Sequence, residues 1–464
     1  MALSRMAGAL AHGLIASSVL VPASATAQEA GSTVTSASPD NEIAALRAQV
    51  AALEAQLANL SARLDGLQAS QAEGAASPAP AAAPAAPSSA AATPQTSFAG
   101  APQVRQAGGW SFKPFGRLNI DAGLTDLPDA LGRGDGFSSE MRRMRLGVEG
   151  DIPGGFGYKA EVDFTGGAAE LTDAYVTYRN GGLTLTAGQH NNFQGMEELT
   201  SSRWSTFIER AAFTDAFGFE RRLGLSAQYS DGPVMLQGGV FTDNVDDLPA
   251  KNWSVDARAV YAPKRGETQL HFGASLHMAD LEPGSTVRYR QRPLVHFTSE
   301  RPLATPTIAA GREFGAGVEA AMLSGRWHAN AEAFWQNVTV PGLAPDPTFF
   351  GGFVEVGYYL TNGDSRGYRS GKWERTRPAR GVDAGGPGAW QINLRYDYLD
   401  LVDAGIAGGQ QDGYFASLIW VPTTYTRLTV NYGHLEYAAA AFALPGGSRK
   451  WNADVLGVRG QVDF

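Results

Sequence analysis

Asp454-Val455-Leu456-Gly457-Val458-Arg459-Gly460-Gln461-Val462-Asp463-Phe464 ends the chain. Back from Phe464, every second residue is apolar or small: Val462, Gly460, Val458, Leu456. Asp463, Gln461 and Arg459 stand between them. A period of two puts these sets on opposite faces of a strand, one greasy and one wet. A soluble edge strand has the same look in isolation. Here the pattern recurs through the last three-quarters of the chain. Tyr158, Ala160, Val162 and Phe164 alternate with Lys159, Glu161 and Asp163. Leu118, Ile120 and Ala122 oppose Arg117, Asn119 and Asp121; Met144, Leu146 and Val148 oppose Arg143, Arg145 and Glu149. Trp390, Ile392, Leu394 and Tyr396 oppose Gln391, Asn393, Arg395 and Asp397.

Sixteen such stretches begin near Phe112, Glu140, Gly157, Glu170, Leu183, Arg221, Val234, Trp253, Thr268, Glu313, Arg326, Phe349, Ala389, Gly413, Thr426 and Asn452. A soluble sandwich needs a second apolar layer to cover its greasy faces, and residues 110–464 supply none. Lipid must then be the apolar phase, which predicts an all-β fold: a 16-stranded antiparallel transmembrane barrel with a wet lumen. Aromatics at strand ends (Trp110, Trp253, Trp327, Trp335, Tyr358, Tyr398, Trp420, Tyr432) suit interfacial girdles.

Composition agrees with export. Of 464 residues 56 are Gly and none is Cys, which removes thiolate metal sites, thiol catalysis and disulfides. Residues 1–27 read as a signal peptide, with Arg5, an apolar stretch and Ala25-Thr26-Ala27 before a cut at Gln28. A short polar segment, 28–40, follows. Ile43, Leu46, Val50, Leu53, Leu57, Leu60, Leu64 and Leu67 alternate spacings of three and four, predicting a periplasmic coiled coil over 41–68. The alternative there is a lone amphipathic helix packed on the barrel. Residues 69–109, dominated by Ala, Pro, Ser and Gln, read as a semi-rigid linker. The net charge of −9 argues against nucleic acid as a partner.

The charge is distributed unevenly. With both ends of the barrel periplasmic, the strand count makes 190–220 and 280–312 the third and fifth outer loops. Residues 362–388 are long yet fall on the periplasmic side, where turns are usually short. That turn is expected to fold into the pore, unless the strand count is off by one. Beyond Asp280 and Glu282, the fifth loop carries Arg288, Arg290, Arg292, Arg301 and Arg312 against Glu300, net +4. The long turn, up to Arg380, carries Arg366, Arg369, Lys372, Arg375, Arg377 and Arg380 against Asp364 and Glu374, also net +4. Cations along a narrow passage attract anions, and the arginine fork can meet two oxygens of an oxyanion. A solvated basic loop meeting lipopolysaccharide phosphates is the plainer alternative for the fifth loop. The third loop is mixed: Arg203 and Arg210 against Glu197, Glu198, Glu209, Asp215 and Glu220.

Catalytic and metal sites find no support. Gly367-Tyr368-Arg369-Ser370-Gly371-Lys372-Trp373 falls one residue short of a phosphate-binding loop, with Trp373 where Ser or Thr is required. His271 and His277 share a strand face at wide spacing, and without a carboxylate partner in register a metal site is not expected there. No Ser–His motif suggests a lipase, and Glu161 and Asp163 read as lumen charges rather than an acid–base pair. The chain is expected to be no enzyme and to need no cofactor or metal.

Several strings stand out beyond the strand pattern. They are Arg142-Arg143-Met144-Arg145-Leu146-Gly147-Val148-Glu149-Gly150, Thr172-Asp173-Ala174-Tyr175-Val176 and Leu199-Thr200-Ser201-Ser202. Phe207-Ile208-Glu209-Arg210 and Arg221-Arg222-Leu223-Gly224 add to these. The most specific is Tyr358-Tyr359-Leu360-Thr361-Asn362-Gly363-Asp364-Ser365-Arg366-Gly367-Tyr368, followed by Gly388-Ala389-Trp390 and Arg395-Tyr396-Asp397-Tyr398-Leu399-Asp400-Leu401. Together they resemble the phosphate-selective porin family of Gram-negative outer membranes, and the resemblance spans residues 110–464. It implies a trimer in which the third and fifth loops and one long periplasmic turn form an arginine-rich, anion-selective constriction.

The expectation is therefore an outer-membrane porin for small anions, phosphate or polyphosphate first, other small anions second. An alternative is a structural protein tethered through its coiled coil. The anion pathway is expected to use Arg143, Arg145, Arg203, Arg210, Arg222, Arg288, Arg290, Arg292, Arg366, Arg369, Lys372, Arg375, Arg377 and Arg380. Expected partners are inorganic or organic anions, membrane lipid and lipopolysaccharide, two further copies of the chain, and the barrel-insertion machinery, which would read the strand ending at Phe464.

Overall fold

A computed structural model describes residues 94–464, apart from 248, 250 and 343. The signal peptide, the coiled coil and most of the linker lie outside the described residues.

Sixteen long strands form the wall. They are β1 Ser111–Asp126, β2 Gly136–Ile152, β3 Phe156–Asp163, β4 Glu170–Asn180, β5 Leu183–Asn191, β6 Arg221–Asp231, β7 Val234–Phe241 and β8 Trp253–Tyr261. The second half comprises β9 Thr268–Asp280, β10 Arg312–Ser324, β11 Trp327–Thr339, β12 Thr348–Tyr359, β13 Ala389–Asp403, β14 Ile406–Thr423, β15 Thr426–Ala438 and β16 Trp451–Asp463. Each pairs antiparallel with its neighbours in sequence. The barrel closes where β16 pairs with β1, from Asp454↔Asp126 to Asp463↔Arg117. Closure leaves no strand edge in lipid.

The burial is inside out. Leu225 is 68% exposed and Ile120 49%, while Asp121 is 0% and Arg459 3% exposed. The greasy face meets lipid and the charged face is enclosed. Strand starts follow the alternation closely, except that β2 begins at Gly136 and β14 at Ile406, several residues ahead of the expected Glu140 and Gly413. In β14 these added residues include Gly408, Gly409, Gln410 and Gln411, which carry no period-two signal.

Turns of two residues, Gly181-Gly182, Gly232-Pro233, Gly325-Arg326 and Thr424-Tyr425, lie at the end that holds both barrel termini, the periplasmic end. The connection 360–388 lies there too and folds back inside. Its Arg258-facing tip, a hairpin of Gly367–Arg369 with Lys372–Glu374, takes a hydrogen bond from Arg258 Nη2 to the Gly371 carbonyl (2.7 Å). Residues 95–105, in the segment expected to be linker, form a hairpin (Gln95–Phe98 with Pro102–Arg105) that extends the sheet at the start of β1.

The third outer loop, 192–220, also turns inward, carrying two short helices, α1 Met196–Leu199 and α2 Ala212–Ala216. Phe207, Ile208, Phe213, Phe217 and Phe219 pack against Phe334, Phe353, Leu399 and Phe415 of the wall and Tyr289, Val295 and Phe297 of the fifth loop. Each such side chain contributes about 2 kcal/mol by leaving water. Glycine makes room: a Cβ at Gly457 would strike Ile208, and one at Gly351 would strike Phe213. Bonds at the backbone fix the register of the loop, Ile208 N–H to Asn431 Oδ1 (3.1 Å) and Ala212 N–H to Asp397 Oδ2 (3.1 Å).

Candidate functional site: a cation-lined passage

Because the loops fill the side of the lumen facing β11–β16, open space remains along β1–β7. It takes the form of three adjoining cavities. The outer one, ≈ 180 Å³, lies between the fifth loop (Gln291, Arg292, His296) and β2 (Arg142, Arg143). The middle one is ≈ 490 Å³, and the inner one, ≈ 240 Å³, reaches the periplasmic ends of β1–β4. Arg143, Glu198 and Arg210 line both the outer and the middle cavities, so these three side chains form the neck between them. Glu149, Lys159, Tyr175 and Thr177 line both the middle and the inner ones.

The middle cavity is lined by nine cationic residues (Arg117, Arg143, Arg145, Lys159, Arg203, Arg210, Arg221, Arg369, Lys372) and four acidic ones (Glu149, Asp173, Glu198, Glu374). Most of the cations are already matched. Arg117 and Arg145 meet Glu161 at 3.1 and 3.0 Å, Lys159 and Arg221 meet Asp173 at 2.6 and 2.5 Å, and Arg369 meets Glu374 at 3.1 Å. At the neck Arg210 meets Glu198 at 3.2 Å, while Arg143 reaches a carboxylate, Glu209, only at 4.0 Å. Arg143 Nη1 is buried without a hydrogen bond. Arg203 holds only the Ser201 hydroxyl (3.2 Å) and the Trp204 ring, and Lys372 has no ion pair among the described residues. The uncancelled charge therefore sits on Arg143, Arg203 and Lys372.

The acid-rich third loop now has a physical account. Glu197 receives Arg395 Nη2 at 2.9 Å, and Glu209 receives Arg142 Nε at 2.9 Å and Arg459 Nη2 at 3.0 Å. These carboxylates tie the loop to wall arginines instead of repelling anions. Burial raises the affinity of Glu209 for a proton, but Arg142, Arg143 and Arg459 overcome this and hold its carboxyl well below the ordinary range. Glu198 differs: burial pushes its carboxyl up, against the pull of Arg210.

Of the expected pathway residues, Arg143, Arg145, Arg203, Arg210, Arg369 and Lys372 line the middle cavity and Arg292 the outer one. The others sit elsewhere. Arg366 is buried, 3.5 Å from Glu355, and donates to the Trp204 carbonyl (3.0 Å). Arg375 is bonded to Asp463 and stacks on Trp204 at 4.3 Å. These two clamp the turn to the third loop. Arg222 meets Glu220 and Asp243, both at 3.5 Å. Arg288 caps the Thr305 carbonyl (3.2 Å), and Arg290, Arg377 and Arg380 are exposed away from the cavities. Arg117, Lys159 and Arg221 line the passage and were absent from the expected set. Their signal was present, since Arg117 and Lys159 alternate with lipid-facing residues and must point inward.

The family model described as phosphate-selective porin O and P matches residues 112–464. The chain belongs to that family. A protein of Caulobacter vibrioides, itself described only as uncharacterised, is 47% identical over 384 residues, covering 80% of this chain and 77% of its own. Among solved structures, an anion-selective porin from Comamonas acidovorans matches at 13% identity and a TM-score of 0.48, over 76% of this chain and all of its own. The outer membrane channel DcaP of Acinetobacter baumannii matches at 15% identity and a TM-score of 0.49, over 78% of this chain and 99% of its own. Membership of that family, with the closed sheet described above, makes this porin an outer-membrane barrel.

Proposed function

We propose that the barrel is a passive, anion-preferring diffusion channel, for phosphate or polyphosphate, and that its passage runs through the three cavities along β1–β7. The observation that carries this reading is the neck. Arg143, buried and short of partners, faces Arg210 and Glu198 where the outer and middle cavities meet. An anion entering there gains donors already stripped of water, in a setting where field lines are focused by low-dielectric walls. From the neck it would move to Arg203 and Lys372 and leave past Lys159. The assembly proposed is a trimer of such barrels, with the segment 41–68 as a periplasmic coiled coil.

Other small anions, carboxylates among them, are the second reading. The four acidic residues of the middle cavity favour it, because a passage tuned to one multivalent oxyanion has no need of them. The test is the reversal potential of single channels in a salt gradient, first with potassium chloride and then with phosphate. A potential on the anion side supports the reading. A potential at zero or on the cation side overturns it, and a barrel without a channel favours the structural, tethering role.

A further inference from the structure

The middle cavity is built for more than a small inorganic ion. At ≈ 490 Å³ it is in the range of pockets that enclose small organic molecules, and it holds roughly sixteen waters' worth of space at ~30 Å³ each. Its wall is also divided by chemistry. Most cations come from β1–β3, the third loop and the inturned hairpin; Arg221 of β6 is paired with Asp173 of β4. The rest of the wall built from β4–β7 is rich in hydroxyls and amides: Thr177, Thr184, Thr186, Gln228 and Gln237.

The sheet register makes this part a grid. Thr177 lies directly across from Thr186, and Thr184 from Gln228, which in turn faces Gln237. Gln237 Nε2 donates to Gln228 Oε1 (2.9 Å) and its own Oε1 receives Arg258 Nη1 (2.9 Å), so these amides are held in place. The threonines are different. Thr177 lines the cavity, is 7% exposed, and its buried hydroxyl has no hydrogen-bond partner among the described residues. A buried hydroxyl without a partner is costly, and a guest that gave it one would relieve that cost.

We infer that the middle cavity binds a polyhydroxylated organic anion, a sugar phosphate, with its phosphate on Arg203 and Lys372 and its hydroxyls on Thr177 and Thr186. The inference rests on the anion-pathway reading and names the substrate class for it. An inorganic phosphate uses the cations and leaves the threonines unmet. A neutral sugar does the reverse. A sugar phosphate uses both.

The experiment is block of the chloride current through the full-length porin in planar bilayers, titrated with glucose 6-phosphate, inorganic phosphate and glucose. Glucose 6-phosphate should half-block at a concentration about tenfold below that of phosphate, the size of one to two net hydrogen bonds. Glucose should not block. In the double variant Thr177→Val, Thr186→Val, correct assembly being checked by heat-modifiable migration, the glucose 6-phosphate value should rise to that of phosphate. Equal block by the two phosphates in the unmodified porin, equal block by glucose, or an unchanged ratio in the double variant would each overturn the inference. A chloride gradient showing no anion preference would instead remove the pathway reading beneath it, and the inference with it.

Discussion

The two sides of the lumen face the same water and are built from the same kind of alternating strand, yet one is filled and the other open. Along β11–β16 the inward residues include Phe334, Phe353, Phe415 and Leu399, and the third loop lays Phe207, Ile208, Phe213 and Phe217 on them. Along β1–β6 the inward residues include Arg117, Arg143, Arg145, Lys159 and Arg221, and the loop's Phe193, Leu199 and Trp204 line the open space there without filling it. The hydrophobic effect places the loop, and the passage is the space it leaves. Charge then operates in that remaining space. Closure by packing and selection by charge are separate devices, and each can be broken without the other.

The largest expected effect comes from undoing the packing. Phe213→Ala removes about 3–5 kcal/mol of packing from a ring stacked on Phe334 and Phe353, at 6.2 and 6.3 Å between centroids. The barrel should still form, because its closure does not involve Phe213. Single-channel conductance should rise at least twofold as the loop detaches, and unchanged conductance would mean that the apolar side never limits flow.

Charge at the neck comes next. Arg143→Gln should shift the reversal potential toward the cation side with little change in conductance. One unit charge at ~4 Å is worth about 1 kcal/mol in water and about 4 kcal/mol at a protein surface, so the selectivity ratio should fall at least fivefold. A shift no larger than that produced by Arg377→Ala would show that the neck does not select.

A smaller effect follows from pH. Burial raises the Glu198 carboxyl, so it takes up its proton at a higher pH than an ordinary glutamate. As pH falls through that raised value the neck loses one negative charge, and anion preference should increase. Glu198→Gln should fix the high-preference state and flatten the profile. An identical profile in the variant would assign the titration elsewhere. Smallest of all, Arg377→Ala with Arg380→Ala should leave selectivity within about twofold, since both side chains are exposed to solvent and screened by salt.

How much of this was readable from the chain differs between the two devices. The wall was legible because lipid on one side and water on the other enforce a strict period of two, visible in Tyr158 to Phe164 as in Leu456 to Phe464. The strand count and the anomalous turn at 362–388 followed from it. The passage was only half legible. Counting charges by segment drew attention to Arg366, Arg375, Arg377 and Arg380, but charge per segment says nothing about partners. Arg366 and Arg375 prove to be clamps between turn and loop. Arg117 and Arg221 belong to the passage, yet each is matched to a carboxylate on another strand, Glu161 and Asp173. Those pairings span 44 and 48 residues of sequence and depend on register, which no local pattern encodes. The apolar residues of the third loop, Phe207, Ile208, Phe213, Phe217 and Phe219, were the overlooked signal. Five large apolar residues in thirteen belong to a loop that is buried, not one that waves in solvent.

The hairpin at residues 95–105 gives the barrel a mechanical property. It joins β1 through two residue pairs, Val104↔Phe112 and Arg105↔Ser111, and is itself held by four. The seam between β16 and β1 has ten. Tension arriving along the chain ahead of Gln95 meets these junctions in series, and rows of backbone bonds loaded from one end open one at a time. The hairpin would peel away first, lengthening the chain and absorbing the pull, before any load reached the strand pair that keeps the cylinder shut. It would act as a fuse between the chain ahead of Gln95 and the wall in the membrane.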